Sequence, residues 1–272
     1  MRRVAGILVA TGLAAGAAPG LDAPAATTGA AAEGARLQGT WSVHGRVTRA
    51  DGVRGEHKGQ RVRRSWTFQS TCAAGPCRTV SLTRERSLRQ VDRLVLRRAA
   101  PRRYVGHGRF YVRLRCGGRT YPRGGVAYET VHVTISASAT VQSTPFATAI
   151  RADYRNPRRV NRTPCAGSLG RDAGTYSGTL STPLPAPPTP EFTSTTDPVT
   201  GTVAFADASK SSSGAPVASW NWDFGDPASG SANSSSAANP SHHYGAPGTY
   251  TVTLTVTDRN GLTATITHQV VV

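Results

Sequence analysis

From Tyr250 to Thr257 every second residue is apolar, namely Tyr250, Val252, Leu254 and Val256, and each residue between them is threonine. A two-residue period sends successive side chains to opposite faces of an extended strand, one face to bury and one to wet. The same period recurs through most of the chain, with almost no helical periodicity to compete with it. It runs through Trp41, Val43 and Val47, then Trp66 and Phe68, Val80 and Leu82, and Leu94 and Leu96. Phe110, Val112, Leu114 and Cys116 follow, then Val131, Val133 and Ile135, next Ile150, Ala152 and Tyr154, and finally Tyr176, Gly178 and Leu180. These runs make about eight strands joined by turns bearing Gly, Pro and Arg, the pattern of an antiparallel barrel or sandwich. The fold class is therefore all-β.

Met1-Arg2-Arg3 precedes an apolar run from Val4 to Ala18. That is the charge and length of an export signal, too short to span a bilayer comfortably. Ala23-Pro24-Ala25 offers a small-x-small cleavage site, so residues 1–25 read as a signal peptide and the mature chain as starting near Ala26. No later apolar run approaches about 18 residues, so the mature form is expected to carry no membrane span. The expected location is secreted, with cell-surface association open.

Charge divides what remains. Residues 26–182 hold 28 Lys+Arg against 8 Asp+Glu, a net +20, whereas residues 183–272 hold 2 against 6, a net −4. Between them, residues 183–190 carry closely spaced prolines, which favour an extended, semi-rigid spacer that would hold two units apart. The division is thus a basic β domain over residues 36–182, a proline-rich linker over 183–190 and a second domain over 191–272.

All four cysteines, Cys72, Cys77, Cys116 and Cys165, lie in the basic domain. An even count behind an export signal reads as two disulfides rather than a zinc site. Three pairings exist. The turn sequence Cys72-Ala73-Ala74-Gly75-Pro76-Cys77, set between two strand-like runs, favours Cys72 with Cys77 and therefore Cys116 with Cys165. Chain entropy gives about 2 kcal/mol for the short loop and about 4 kcal/mol for the long one.

Near the C-terminus the chain reads Trp220-Asn221-Trp222-Asp223-Phe224-Gly225-Asp226, then Pro240, His242, Tyr244, Gly248, Tyr250, Asp258 and Gly261. This resembles the polycystic kidney disease (PKD) domain, an immunoglobulin-like β-sandwich, over about residues 190 to 272. The resemblance implies an extracellular interaction or spacer module that contacts protein or carbohydrate, and it supplies no catalytic residue. Asn260-Gly261 can take positive φ and so reverse the last two strands as a tight hairpin. After Asp226 the family usually has Gly, whereas this chain has Pro227 and a Ser/Ala/Gly/Asn-rich stretch to Asn239, which predicts a longer, more mobile loop. Gly39-Thr40-Trp41 looks like the Gly-x-Trp that opens lipocalin-like barrels, where the Trp plugs one end.

Arg109, Tyr111, Arg113 and Arg115 alternate with Phe110, Val112 and Leu114, so three guanidinium groups and a ring form a stripe. Arginine forks bind carboxylate, sulfate or phosphate bidentately and stack on flat groups. The partners expected from this are an extracellular polysaccharide, an anionic cell-wall polymer or a protein, with nucleic acid bound only non-specifically. No Gly-x-Ser-x-Gly, His-Glu-x-x-His or phosphate-binding glycine loop occurs, so the sequence assigns no catalytic residue, no cofactor and no metal. The reading is a non-catalytic binding protein. A lipocalin-like carrier of a small ligand, or a secreted hydrolase or its accessory subunit, stands as the alternative. The exported protein should contain no free thiol: alkylation without reductant, followed by mass spectrometry, should leave all four cysteines unmodified.

Overall fold

The computed structural model describes residues 29–30, 33–53, 55–73, 75–85, 91–165, 170–212 and 214–272. The leader expected over residues 1–25 lies outside the described residues. A two-residue strand, β1 (Gly29–Ala30), precedes eight longer ones: β2 (Gly39–Asp51), β3 (Arg61–Ser70), β4 (Thr79–Glu85), β5 (Val91–Ala100), β6 (Arg103–Cys116), β7 (Arg119–Val141), β8 (Thr144–Asn161) and β9 (Arg171–Leu180). From β2 onward each strand pairs antiparallel with the next, and β9 returns to β2 from Trp41↔Leu180 to Asp51↔Arg171. The sheet therefore closes on itself. Of the barrel and sandwich left open by the periodicity, the barrel is formed, because closure gives the first and last strands partners instead of bare edges.

The alternating apolar residues point into the barrel. Where β2 begins and β9 ends, the interior is filled by Trp41, Phe68, Leu82, Leu96, Tyr104 and Ile135, all essentially inaccessible to solvent. Trp41 closes this end, its indole N–H donating to the Gln38 carbonyl at 2.9 Å. Burying 150–250 Å² of a Trp at about 25 cal/mol per Å² contributes roughly 4–6 kcal/mol before entropy is subtracted. The disulfides are Cys72–Cys77, across the β3–β4 turn, and Cys116–Cys165, from the tip of the β6–β7 hairpin to the segment after β8. Both follow the pairing favoured by the turn sequence.

The C-terminal unit is a two-sheet sandwich. One sheet contains β10 (Phe192–Asp197), β11 (Thr202–Asp207) and β14 (Ser241–His243). The other contains β12 (Val217–Asp223), β13 (Ser234–Ser235), β15 (Thr249–Asp258) and β16 (Thr263–Val271). Val252, Leu254 and Val256, the apolar half of the threonine-spaced run, are completely buried with Trp222 between the sheets. The stretch after Asp226 was expected to be a mobile loop; it forms a short 3-10 segment, Pro227–Asn233, and then pairs through β13 with Trp222 and Asp223. Asn233 ties it down, accepting from the Asp226 N–H at 2.6 Å and donating to Asp223 Oδ1 at 2.9 Å.

The proline-rich segment does not hold the two units apart. Its end pairs with the sandwich through Thr189↔Lys210, and the Ser212 hydroxyl donates to the Ala186 carbonyl at 2.7 Å. Proline removes backbone donors but leaves carbonyls free to accept, so an extended run can lie along a neighbour as easily as it can bridge open water. Leu184 packs with Val141, Phe146 and Leu262, the last wholly buried between barrel and sandwich. Beside them, Gln142 at the β7–β8 turn adopts φ +52° and forms two hydrogen bonds with the Thr263 backbone, donating at 2.7 Å and accepting at 3.0 Å. Gln38 Nε2 donates to Asn260 Oδ1 at 3.1 Å. The sandwich hairpin is turned toward this contact by Asp258, whose Oδ1 accepts from the Asn260 and Leu262 N–H groups at 2.8 and 2.9 Å.

This junction should be visible in unfolding. A buried Leu→Ala change costs about 2–5 kcal/mol, so Leu262→Ala in the full chain should separate the melting of sandwich and barrel that docking couples in the wild type. Scanning calorimetry reads this directly, and an unchanged trace would contradict the docking.

Candidate functional site

Among the described residues, β6 beyond Gly106 has β7 as its ladder partner, and β8 beyond Asn156 likewise pairs with β7. Strands β6, β7 and β8 thus run on past the barrel as a three-stranded tongue, at the end opposite the sandwich. The Cys116–Cys165 disulfide staples its tip. Arg109, Arg113 and Arg115 are exposed on this tongue and Tyr111 is half-buried, and the β6–β7 ladder is irregular between Val112 and Leu114. Arg109 lies opposite Tyr128 and Tyr128 opposite Arg158, with the Arg158 guanidinium 5.7 Å from the Tyr128 ring centre. Arg123 sits 4.9 Å from the Tyr111 ring. Arginines along a free strand edge also discourage pairing with another chain.

Arg158 lies on the tongue and Arg162 just after it, its N–H donating to the Gly124 carbonyl at 2.7 Å, whereas Arg102 and Arg103 lie at the β5–β6 turn. Arg159 differs again. Its side chain is buried and ion-paired with Asp172 inside the barrel mouth.

That mouth holds a cavity of about 230 Å³, bordered by Trp66, Arg84, Glu129, Tyr154, Asn156 and Tyr176 among others. Arg84 grips both oxygens of Glu129 at 2.6 and 2.7 Å and Asp92 at 3.2 Å, with its guanidinium 5.8 Å from the Trp66 ring. Asp172 accepts from Arg159 and from Asn156 Nδ2 at 2.9 Å. Among the described residues, Arg84 Nε, Asn156 Oδ1 and Arg159 Nε are enclosed with no hydrogen-bond partner. The tyrosine walls depend on two glycines directly across the ladder. Tyr176 lies over Gly45, where a Cβ would come within 2.3 Å of the ring, and Tyr154 over Gly174, where it would come within 2.5 Å.

The sequence pattern did not single out this interior constellation. Arg84 and Arg159 look like two more arginines in an arginine-rich chain, though Arg84 keeps the inward phase of Val80 and Leu82. The other available signal was scarcity: of the eight acidic residues among 26–182, Glu56, Glu85, Glu129 and Asp172 line the cavity and Asp92 braces it.

In the sandwich, the motif residues are framework. Trp220 is half-buried against the core, while the Trp222 indole donates to the Ala237 carbonyl at 2.9 Å. Gly225 N–H donates to Asp223 Oδ1 at 2.9 Å. His242 Nε2 meets Asp226 Oδ2 at 3.1 Å while its ring stacks on Phe224. The Tyr244 hydroxyl donates to the Phe224 carbonyl at 2.9 Å and Tyr250 to the Ala246 carbonyl at 2.8 Å. Gly248 exchanges backbone bonds with Val272.

Two sheets, a buried Trp and this tyrosine and histidine bracing define an immunoglobulin-like sandwich. Residues 185–272 match the family model of the PKD domain, and the C-terminal unit is a PKD domain. A microbial collagenase of Vibrio alginolyticus is 40% identical over 70 residues, 26% of this chain and 8% of that protein's length. The crystal structure of the PKD1 domain of Vibrio anguillarum Epp is 34% identical, with 33% of this chain and 96% of that one covered at a TM-score of 0.29. The PKD1 domain from the Vibrio cholerae metalloprotease PrtV is 30% identical, with 32% and 98% covered at a TM-score of 0.28.

The cavity network carries a pH signature. Burial, with Asp172 beside it, pushes the Tyr154 hydroxyl far above its ordinary value of 10. A group whose folded pKa exceeds its unfolded one contributes stability that is whole below the unfolded pKa and lost as pH rises. Stability should therefore fall above about pH 10. Tyr154→Phe should remove part of that fall and not all, because burial raises Tyr104 and Tyr244 too. Urea melts of both proteins from about pH 8 to about pH 11 check it.

Proposed function

We propose that this chain is an exported binding protein that holds anionic extracellular polysaccharide or cell-wall polymer on the arginine-tyrosine tongue of its barrel. The PKD domain adds a protein or carbohydrate contact. The observation that carries the reading is the row Arg109, Tyr128, Arg158 across three neighbouring strands, with Arg123 stacked on Tyr111 beside it. Stacking holds a guanidinium plane in place while leaving its N–H fork able to meet a carboxylate or sulfate. Interleaved rings also supply flat faces for sugar rings, which a surface of charge alone does not.

Export is supported by the basic-apolar start of the chain and by two disulfides, which persist in oxidising compartments. A PKD domain similar to part of a microbial collagenase fits the same setting. Binding rather than catalysis is favoured because the conspicuous exposed chemistry is guanidinium and phenol, groups that grip anions and rings.

A net +20 over residues 26–182 attracts any polyanion, so the decisive measurement concerns place. Binding to polygalacturonate should weaken steeply with salt. Arg109→Gln, Arg113→Gln and Arg115→Gln together should weaken it more than about tenfold beyond the combination Arg46→Gln, Arg61→Gln and Arg63→Gln, since hydrogen bonds to charged groups contribute about 1.5–3 kcal/mol each. Both triple variants remove the same charge from exposed strand positions. Equal losses would assign the attraction to net charge and remove the tongue as a site.

A further inference from the structure

The outer strand β16 of the sandwich has one open side. Among the described residues its ladder partner is β15, from Thr249↔Val271 to Thr257↔Thr263. An antiparallel strand turns alternate residues toward and away from its neighbour, and here the phase is set at both ends. The Leu262 carbonyl accepts from the Asp258 N–H at 2.9 Å, and Val272 exchanges backbone bonds with Gly248 at 2.9 and 3.2 Å, so the even-numbered residues face β15. The N–H and C=O groups of Thr265, Thr267 and Gln269 therefore face outward.

Both ends of this outward row are met by groups that stand in for a strand. Gln142, at the β7–β8 turn of the barrel, accepts from the Thr263 N–H at 3.0 Å and donates its side-chain amide to the Thr263 carbonyl at 2.7 Å. That is the pair of bonds a neighbouring peptide chain makes, supplied by a carboxamide, which carries the donor and acceptor of a peptide group. Gln142 holds φ +52° there, a conformation uncommon outside glycine. At the other end the Thr196 hydroxyl donates to the Val271 carbonyl at 3.1 Å. Between these two, Thr265–Gln269 has no ladder partner among the described residues beyond β15.

Open edges are ordinarily guarded by charged side chains, proline, bulges or brevity. β16 has none of these: Thr263–Val271 contains no Lys, Arg, Asp, Glu or Pro, its register with β15 is unbroken, and it is nine residues long. The other outer strands of the sandwich, β10, β13 and β14, have six, two and three residues. A long, neutral edge kept in register is what strand addition uses, main-chain bonds giving affinity and alternate side chains selectivity.

We propose that the β16 edge of the PKD domain binds an extended, neutral-to-basic segment of another protein by strand addition, the incoming chain pairing with Thr265–Gln269. This rests on the protein contact proposed above for the PKD domain and gives it a place. The outward groups recur at every second residue, about 6.8 Å, which is the repeat of a second extended polypeptide. On one face the incoming side chains extend the rank in which Thr265 and Thr267 meet the Thr255 and Thr253 hydroxyls at 2.9 and 3.3 Å, a setting for threonine. On the other they cover the half-buried Ile266, a setting for valine or isoleucine. Glu191, 2.7 Å from His268 on the same strand, disfavours an acidic segment.

Hydrogen exchange followed by NMR tests this in the full chain. The outward amides of Thr265, Thr267 and Gln269 should exchange freely, while those of Ile266 and His268, turned to β15, are slow. The probe is a capped peptide of alternating threonine and valine with a lysine at each end. At about ten times its Kd it should slow the three outward amides about tenfold. The same peptide N-methylated at every backbone amide keeps its side chains, loses its donors and should not bind. Thr267→Pro removes the central outward N–H and spares the bonds to β15, so the sandwich should remain folded and bind the peptide at least about tenfold more weakly. The N-methylated comparison needs no variant and decides the matter even where Thr267→Pro fails to fold. Equal binding of the two peptides, no slowing, or unchanged affinity in folded Thr267→Pro would each overturn the proposal. Outward amides protected in the free chain would do the same, and protection that rises with chain concentration alone would give the edge to a second copy. Slowing confined to other amides of the sandwich would overturn the edge and keep a protein contact elsewhere on the domain. Polygalacturonate binding at the tongue is read by the arginine variants and stands or falls separately.

Discussion

Closure of the barrel, sealed where β9 meets β2, is the constraint on which the rest of the structure depends. An antiparallel sheet that stays open has two rows of unmet N–H and C=O groups; one that closes has none, and each inward side chain must then find its place in a lumen of fixed width. The lumen is divided along its length. One half is packed with aromatic and aliphatic side chains, and the other is wired with ion pairs around a polar space. Two tyrosines reach across that space because glycine stands opposite each of them on the neighbouring strand.

Strand content was legible because alternation is local. Every run named from the pattern, from Trp41 to Leu180, falls on a strand of the barrel, and the threonine-spaced run is β15. The PKD motif was legible for another reason: its residues are framework, each bound to a packing or hydrogen-bonding duty that few other side chains can perform. Closure was not legible. A period of two says which face is buried and nothing about which strand lies beside which, so barrel and sandwich share one signature.

The arginines show where composition misleads. Arg36, Arg84 and Arg159 are enclosed; Arg84 continues the inward alternation of Val80 and Leu82, whereas the exposed Arg46, Arg97 and Arg113 fall out of phase with the apolar residues of their strands. Burial pulls the Arg36 guanidinium below its ordinary value even with Asp258 of the sandwich nearby. Its bonds go to the Cys72 and Gly75 carbonyls, both at 3.1 Å, so it braces the small disulfide loop from inside the junction. The proline-rich segment misled in the opposite sense. Its composition describes stiffness, and whether a stiff segment separates two units or lies flat against one depends on Leu184 and Leu262 finding the same apolar patch.

Because the sandwich seats against the filled end of the barrel, the molecule has a handle and a bowl. Whatever grips the PKD domain takes hold of the barrel by its base, through the contacts of Gln142 and Leu262. The open mouth and the arginine tongue then face away from the anchorage. A hold on the PKD domain would thus leave the tongue and the mouth as the parts of the molecule farthest from it.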